Sequence, residues 1–399
     1  MRIWQPKIVM IILAAETAQG AILNILTQKR NKMKKIALLV LSALVVVTSA
    51  VAQQLPNLPK KLHTEGWKAG HVQGIAVDTK QEYLYLSFTT MLVKMDMQGN
   101  VVGTVKGLLG HLGCLEFNDE DGRLYGSLEY KNDAIGRGIL RALDAADKQI
   151  ANAFYCAIFD VDRIDRPGMD AERDGVIRAV YLPEVVADFE ASVTVVGREL
   201  PHRYACSGID GTARGPAWGK RDGKQYLQIC YGVYGDVGRD DNDYQVILGF
   251  DTDAWWDTVA QPLCQENMHQ SGDRSVQKCF VYTGNTNWGV QNLEYDAHTG
   301  NWLVAVYPGK KPQFPNDSMF VIDGSVALGE DVHTAYGEKI AVLTLAGQNR
   351  FPYGSTGMCA LGDGRYYFSE QGCDAQRGQY TYVTLWRATG DPAQPFERI

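Results

Sequence analysis

The sequence predicts an all-β fold of repeated short antiparallel meanders, on three observations. From Gly70 onward, runs rich in β-branched and aromatic residues alternate with Asp, Gly and Asn, the pattern of strands joined by tight turns. The order of these runs recurs five times. No helical period of comparable length competes with it, and 41 glycines and 20 tyrosines suit strands and turns.

Ahead of the repeats, "MKKIALLVLSALVVVTSAVAQQ" begins at Met33 with two lysines and runs through an apolar stretch to Ala50-Val51-Ala52. A charged start, an apolar segment of about a dozen residues and a small-x-small site make an export signal. The segment falls short of the roughly 20 residues a membrane span needs. Residues 1–32 precede a complete signal and read as a start placed too early. The expected mature chain is residues 53–399, exported to the periplasm or beyond, with no membrane span and no sign of an obligate oligomer.

The first set of strands is "HVQGIAVD", "EYLYLSFTT", "LVKMDMQGN" and "VVGTVKG". "HLGCLEFN", "GRLYGSLEY" and "GILRALDA" make the second, and "CSGIDGTA", "QYLQICYGVY" and "YQVILGFDT" the third. "GVQNLEYDA", "NWLVAVYPG" and "SMFVIDG" form the fourth; "GSTGMCALGDG", "RYYFSEQG" and "YVTLWRAT" form the fifth. Each set opens on a strand rich in small residues, as the crowded innermost strand of a propeller blade requires, and radial repetition hides the sheet edges. The set starts, near 71, 111, 207, 289 and 355, are unevenly spaced. Five blades fit best, and six or seven remain compatible with that spacing. Residues 160–205 are charged, lack the strand order and read as an insert holding a short helix or a loop over one face.

On "QGIAVD…YLYLSF…LVKMDMQGNVV" the chain resembles the secreted β-propeller superfamily over most of residues 63–399. It carries neither a WD40 signature nor a kelch pattern. The resemblance implies a single propeller domain; such domains host hydrolases, lyases, lactonases and pure binding modules, so the fold does not name the activity.

A net charge of −7 without a basic stripe argues against a nucleic-acid partner. All eight cysteines lie in the exported part, at 114, 156, 206, 230, 264, 279, 359 and 373. An even count in an oxidising compartment favours disulfides, with Cys264–Cys279 and Cys359–Cys373 the expected local pairs and buried free thiols the alternative. No Cys/His zinc spacing occurs.

In a meander blade the start of the first strand and the end of the second share one face of the disc. That places His71, Gln73, His111, Ser207, Gln291, Asn292 and Tyr353 at one mouth. Thr89, Glu129, Tyr130, Lys131, Tyr234, Tyr307 and Glu370 join them from the second strands. Convergent polar groups at a concave mouth are the default binding-site reading. The catalytic candidates are His71 and His111, which share a blade position, with Glu129 and with His202 just before the third set. These four could bind a divalent metal, or one histidine could act as general base; the plainer reading is a blade-start histidine bonding a neighbouring carbonyl.

Glu129 and Glu370 could form a glycosidase carboxylate pair. Five-bladed glycosidases carry pore-facing carboxylates, and this chain departs from them with His and Gln at its first-strand starts. A His with a Tyr could instead serve β-elimination on a uronic-acid glycan, Arg203 or Lys131 neutralising its carboxylate. Tyr130, Tyr234, Trp288, Tyr307 and Tyr353 suit stacking on sugar rings or the closing of blade interfaces. Asp236, Asp240, Asp241 and Asp243 could hold Ca²⁺, although the spacing is not that of an EF-hand and an exposed acidic turn explains it as well. Three functions remain open: a carbohydrate hydrolase or lyase, a non-catalytic glycan- or ligand-binding propeller, and a metal-dependent lactonase or phosphoesterase.

Overall fold

The computed structural model describes residues 57–399; the expected signal peptide and the segment before it lie outside the described residues. Five antiparallel sheets radiate from a central channel, one for each repeat. Blade 1 runs Val72–Val77, Tyr83–Phe88, Met91–Asp96 and Val101–Lys106. Blade 2 is His111–Asn118, Arg123–Tyr130, Ala153–Phe159 and Ile177–Tyr181, and blade 3 is Cys206–Pro216, Gln225–Val233, Tyr244–Phe250 and Gln277–Tyr282. Blade 4 comprises Thr286–Asp296, Asn301–Pro308, Met319–Ile322 and Leu345–Asn349. Blade 5 joins Met358–Ala360, Arg365–Asp374 and Gly378–Asp391, and is completed by Lys61–His63 from the start of the domain. One sheet thus holds both ends of the propeller, which closes the ring.

Small residues open the inner strands because those strands nearly touch. A Cβ on Gly74 would come within 2.7 Å of Cys114 Cα in the next blade. Ser87 Oγ donates to Gly113 O at 2.6 Å, and Asn292 Nδ2 donates to Gln73 O at 2.8 Å. Bulk sits further out. Tyr125, Phe154 and Ile158 of blade 2 pack on Ile229, Tyr231 and Val246 of blade 3, all nearly fully buried. Each such side chain contributes roughly 1.5–3 kcal/mol.

The structure corrects three expectations within this frame. "GILRALDA" is not a strand: residues 134–142 form helix α1 (Ala134–Ala142), and the third strand of blade 2 is "AFYCAIF". Asp133 caps α1 by accepting the Gly136 N–H at 2.8 Å, a start signal visible in "NDAIG". The charged segment 160–205 does hold a short helix, α2 (Pro183–Glu190), followed by a hairpin of Ser192–Val195 with Arg198–Pro201. It also supplies the outer strand of blade 2, Ile177–Tyr181, so it is more than an insert. The cysteines are all unpaired: Cys264 and Cys373 are exposed, whereas Cys279 and Cys359 are buried in blade cores. Closeness in sequence did not translate into closeness in space, because each expected pair joins an exposed residue, Cys264 in a loop or Cys373 near the end of Arg365–Asp374, to a buried strand.

Accordingly, unfolding without reductant is expected to expose eight alkylatable thiols. Mass spectrometry after iodoacetamide treatment checks this; six or fewer adducts would show a disulfide.

Candidate functional site

At the end of the channel where the inner strands of the first four blades begin, a cavity of about 340 Å³ opens, near the lower end of the ~300–1,000 Å³ range of small-molecule pockets. His71, Gln73, His111, Glu129, Lys131, Gln291 and Tyr307 line it. So do Thr89, Ser207, Ile209, Asp210 and Trp288, with Ile135 and Ile139 of α1 forming one wall. Those isoleucines are four apart and share a helix face.

Strand alternation selects which residues reach the cavity. Glu129 and Lys131 are two apart and project to one side, and Tyr130 between them projects to the other. Tyr130 is buried in the blade interface, its hydroxyl donating to Gln265 Oε1 at 2.9 Å, so it does not face the mouth. His111 pairs in register with Glu129. Lys131 Nζ lies 2.5 Å from Glu129 Oε1 and donates to Ser207 O at 2.8 Å. The other Glu129 oxygen accepts the Ile209 N–H at 2.9 Å. Gln73 Nε2 lies 3.1 Å from His71 Nε2 and donates to Thr89 Oγ1 at 3.2 Å.

Electrostatics divide these groups into charged and neutral. Burial, then the Lys131 charge, then His71, push the His111 imidazole down to about 3. It is therefore neutral at pH 7, and its 3.6 Å approach to Glu129 is not an ion pair; its Nδ1 has no hydrogen-bond partner. Burial lowers His71 as well. Burial also works against the Lys131 ammonium, but Glu129 and Asp133 outweigh it and hold it above its usual range.

Glu129 is raised by burial while Lys131 and the Ile209 N–H pull it down. Asp210 is raised well above the carboxylate range, first by burial and then by the Glu129 charge. One buried ammonium can balance one carboxylate. Lys131 contacts Glu129, so Glu129 carries the charge and Asp210 holds a proton. Asp210 receives only a 3.3 Å bond from Gln291 Nε2, and its Oδ1 is buried without a partner. The pocket is thus close to electrically neutral, with an unused carboxylic acid in its wall.

Asp210 escaped the sequence reading because alternation fails in its strand. Pairing of Cys206–Pro216 with its neighbour slips between Cys206 and Gly208 and again between Ile209 and Thr212. Such bulges re-aim side chains, and the inner strands of blades 1, 2 and 4 carry them too. The glycines of "SGIDGT" were the available signal, since Gly inside a strand often marks a bulge.

Other expected residues lie elsewhere. His202 sits one layer behind the cavity wall, its Nδ1 hydrogen-bonded to Phe189 O and its ring 4.5 Å from Phe189 and 5.2 Å from Tyr234. Tyr234 in turn backs Trp288 at 5.8 Å and donates to Asp133 at 3.3 Å. Arg203 is paired with Glu338 against Tyr204 and Tyr336. Tyr353 packs on Phe351 and Trp386. Glu370 accepts from Thr384 Oγ1 at 3.0 Å and pairs with Arg398 at 2.7 Å, so it cannot partner Glu129. Asn292 is spent bridging to Gln73 O, inside the ring of strands.

The metal expectations fail on the same geometry. His202 is away from His71 and His111, and Lys131 occupies the Glu129 oxygen a metal would need. Asp241 is held by Arg239 at 2.8 Å, Asp243 by Lys311 at 2.6 Å, and Asp240 lies exposed 3.7 Å from Arg198. Among the described residues no group of three or more His, Cys, Asp or Glu is arranged to hold a metal ion. Among the same residues no helix is long and apolar enough to cross a membrane.

Fold and channel together define the chain as a five-bladed β-propeller. No family model and no curated protein matches it. Among solved structures it is similar to the β-propeller domain of Cps50 (Swd1) from Myceliophteria thermophila, at 8% identity and a TM-score of 0.30, covering 80% of this chain and 84% of that one. The function is therefore read from the site's own chemistry.

Proposed function

We propose that this propeller is an exported enzyme acting on a neutral carbohydrate, hydrolysing a glycosidic bond in the mouth at residues 71, 111, 129 and 210. The observation that carries the reading is the buried Asp210 carboxyl with one oxygen unpartnered, whose hold on a proton burial and the neighbouring Glu129 charge strengthen. Two carboxyl groups driven to opposite protonation states are what acid-assisted bond cleavage uses. Asp210 gives its proton to the leaving oxygen as the bond to the anomeric carbon breaks. Glu129, partly screened by Lys131, faces the positive charge that develops there. Water adds to the anomeric carbon as the neutral His71 imidazole, its Nε2 released from the Gln73 amide N–H, takes the water's proton and returns it through solvent to Asp210.

Charge balance favours a neutral sugar over a uronic acid. Lys131 is neutralised by Glu129 and Arg203 lies elsewhere, so among the described residues of the mouth no free lysine or arginine meets a substrate carboxylate, and elimination loses its support. Trp288, Tyr307 and the α1 isoleucines offer the apolar surface that sugar C–H faces stack on.

Release of reducing ends from a panel of neutral oligosaccharides tests the reading. Asp210→Asn is expected to lower kcat by roughly 10²–10⁴-fold with KM little changed; full activity in that variant would sink it. No turnover on the panel, together with saturable quenching of Trp288 fluorescence, would point instead to a glycan-binding module. A bell-shaped kcat/KM profile is also expected. His71 must be unprotonated, so the acid limb falls below its ordinary 6.5. Asp210 must be protonated, so the alkaline limb lies well above the usual carboxylate range. A profile with no alkaline limb would exclude Asp210 as the acid.

A further inference from the structure

The channel has a second mouth. At the far ends of the same inner strands, a cavity of about 470 Å³ opens among residues the sequence shows only as turn-flanking. Its charged lining is Asp78, Glu116, Asp119 and Glu294 against Arg214 and Arg221, four carboxyl groups to two guanidinium groups.

These groups are not evenly matched. Arg214 is almost fully buried and is committed to Glu120 at 2.6 Å and Asp119 at 3.7 Å. It also serves Glu116 through its backbone N–H and its charge. Asp78 spends one oxygen on the N–H groups of Glu82 and Tyr83. Glu294 is 7% exposed; one oxygen accepts the Ala360 N–H at 2.9 Å. Among the described residues no cation pairs with it. Burial, and after it the Glu116 charge, raise Glu294 well above the carboxylate range, and burial lifts Glu116 to about 8. A buried carboxyl without a counter-charge is costly in its ionised form, and a cation supplied from outside removes that cost.

We infer that this second mouth binds an organic cation, a primary ammonium on a short apolar stem, with Glu294 as its counter-ion and Glu116 as a second acceptor. An ammonium carries three donors, which suits two carboxylates on different blades. Phe117, Tyr295 and Leu361, each half-buried, give the stem an apolar wall. A metal ion is disfavoured because among the described residues no group of three or more His, Cys, Asp or Glu is arranged to hold one.

Calorimetric titration of the wild-type protein with butylamine, and with butan-1-ol as its uncharged isostere, tests the assignment. Saturable binding of the amine and none of the alcohol is expected. Glu294→Gln should weaken amine binding at least tenfold, and Glu116→Gln by a smaller factor. Equal binding of amine and alcohol, unaltered affinity in Glu294→Gln, or saturable calcium binding that excludes the amine would overturn it. The wild-type comparison stands even if a variant does not fold.

Discussion

Lys131→Met is expected to destabilise the protein by about 3–5 kcal/mol, the usual cost of removing one partner from a buried ion pair. Lys131 and Glu129 are 4% and 5% exposed and meet at 2.5 Å, so neither solvent nor salt relieves the survivor. In the variant, burial acts on Glu129 with only the Ile209 N–H opposing it. Its folded-state pKa then rises further above the unfolded value of about 4.3. A group raised on folding costs nothing below its unfolded pKa, and the cost grows as pH climbs towards the folded one. The deficit should therefore be smaller at pH 5 than at pH 8, as denaturant melts at the two pH values would measure. Adding Glu129→Leu should recover much of the loss; a double variant no more stable than the single would contradict the pairing.

Gly208→Ala is the second large effect. Gly208 has φ +132°, and a Cβ there would lie 1.8 Å from Glu129 Oε2 and 2.9 Å from its Cδ. The carboxylate must leave, stranding the Ile209 N–H and the Lys131 ammonium. Backbone strain of about 1–3 kcal/mol adds to about 1–3 kcal/mol for an unsatisfied buried group, so a loss of about 2–6 kcal/mol is expected. The proposed glycosidase activity should disappear with it. In a Glu129→Ala, Lys131→Met background the same substitution should cost only the backbone strain. Urea melts of the four proteins give that difference, and equal costs in both backgrounds would show that Gly208 does not act through Glu129.

The mouth was legible wherever a strand keeps its alternation. His71 and His111 begin equivalent strands, and Glu129 and Lys131 follow at the end of a regular partner, so position in the repeat locates them. Residues whose place depends on packing between blades were not legible. Tyr130 and Tyr353 carry the same chemistry as Tyr307, but their hydroxyls or rings are used by neighbouring side chains. His202 precedes its strand by only a few residues, yet positive φ values at 202, 204 and 205 turn the chain there, and the imidazole packs behind Tyr234. The end of helix α1 reads as a strand in the sequence because "GILRALDA" carries apolar residues at spacings that fit either period over so short a run.

While the structure fixed the blade number at five, periodicity and small-residue placement in the sequence alone pointed to a propeller, located five of its inner strands and set two histidines at one rim. Those are local properties, repeated once per blade. The tertiary structure alone decided which carboxyl group stays charged, because that depends on where a single ammonium comes to rest among Glu129, Asp210 and the neutral imidazoles. It also decided that the eight cysteines stay apart and that a second cavity lies at the other end of the channel. Bulges that re-aim single residues and burial shared between blades set these outcomes, and neither leaves a periodic trace in the chain.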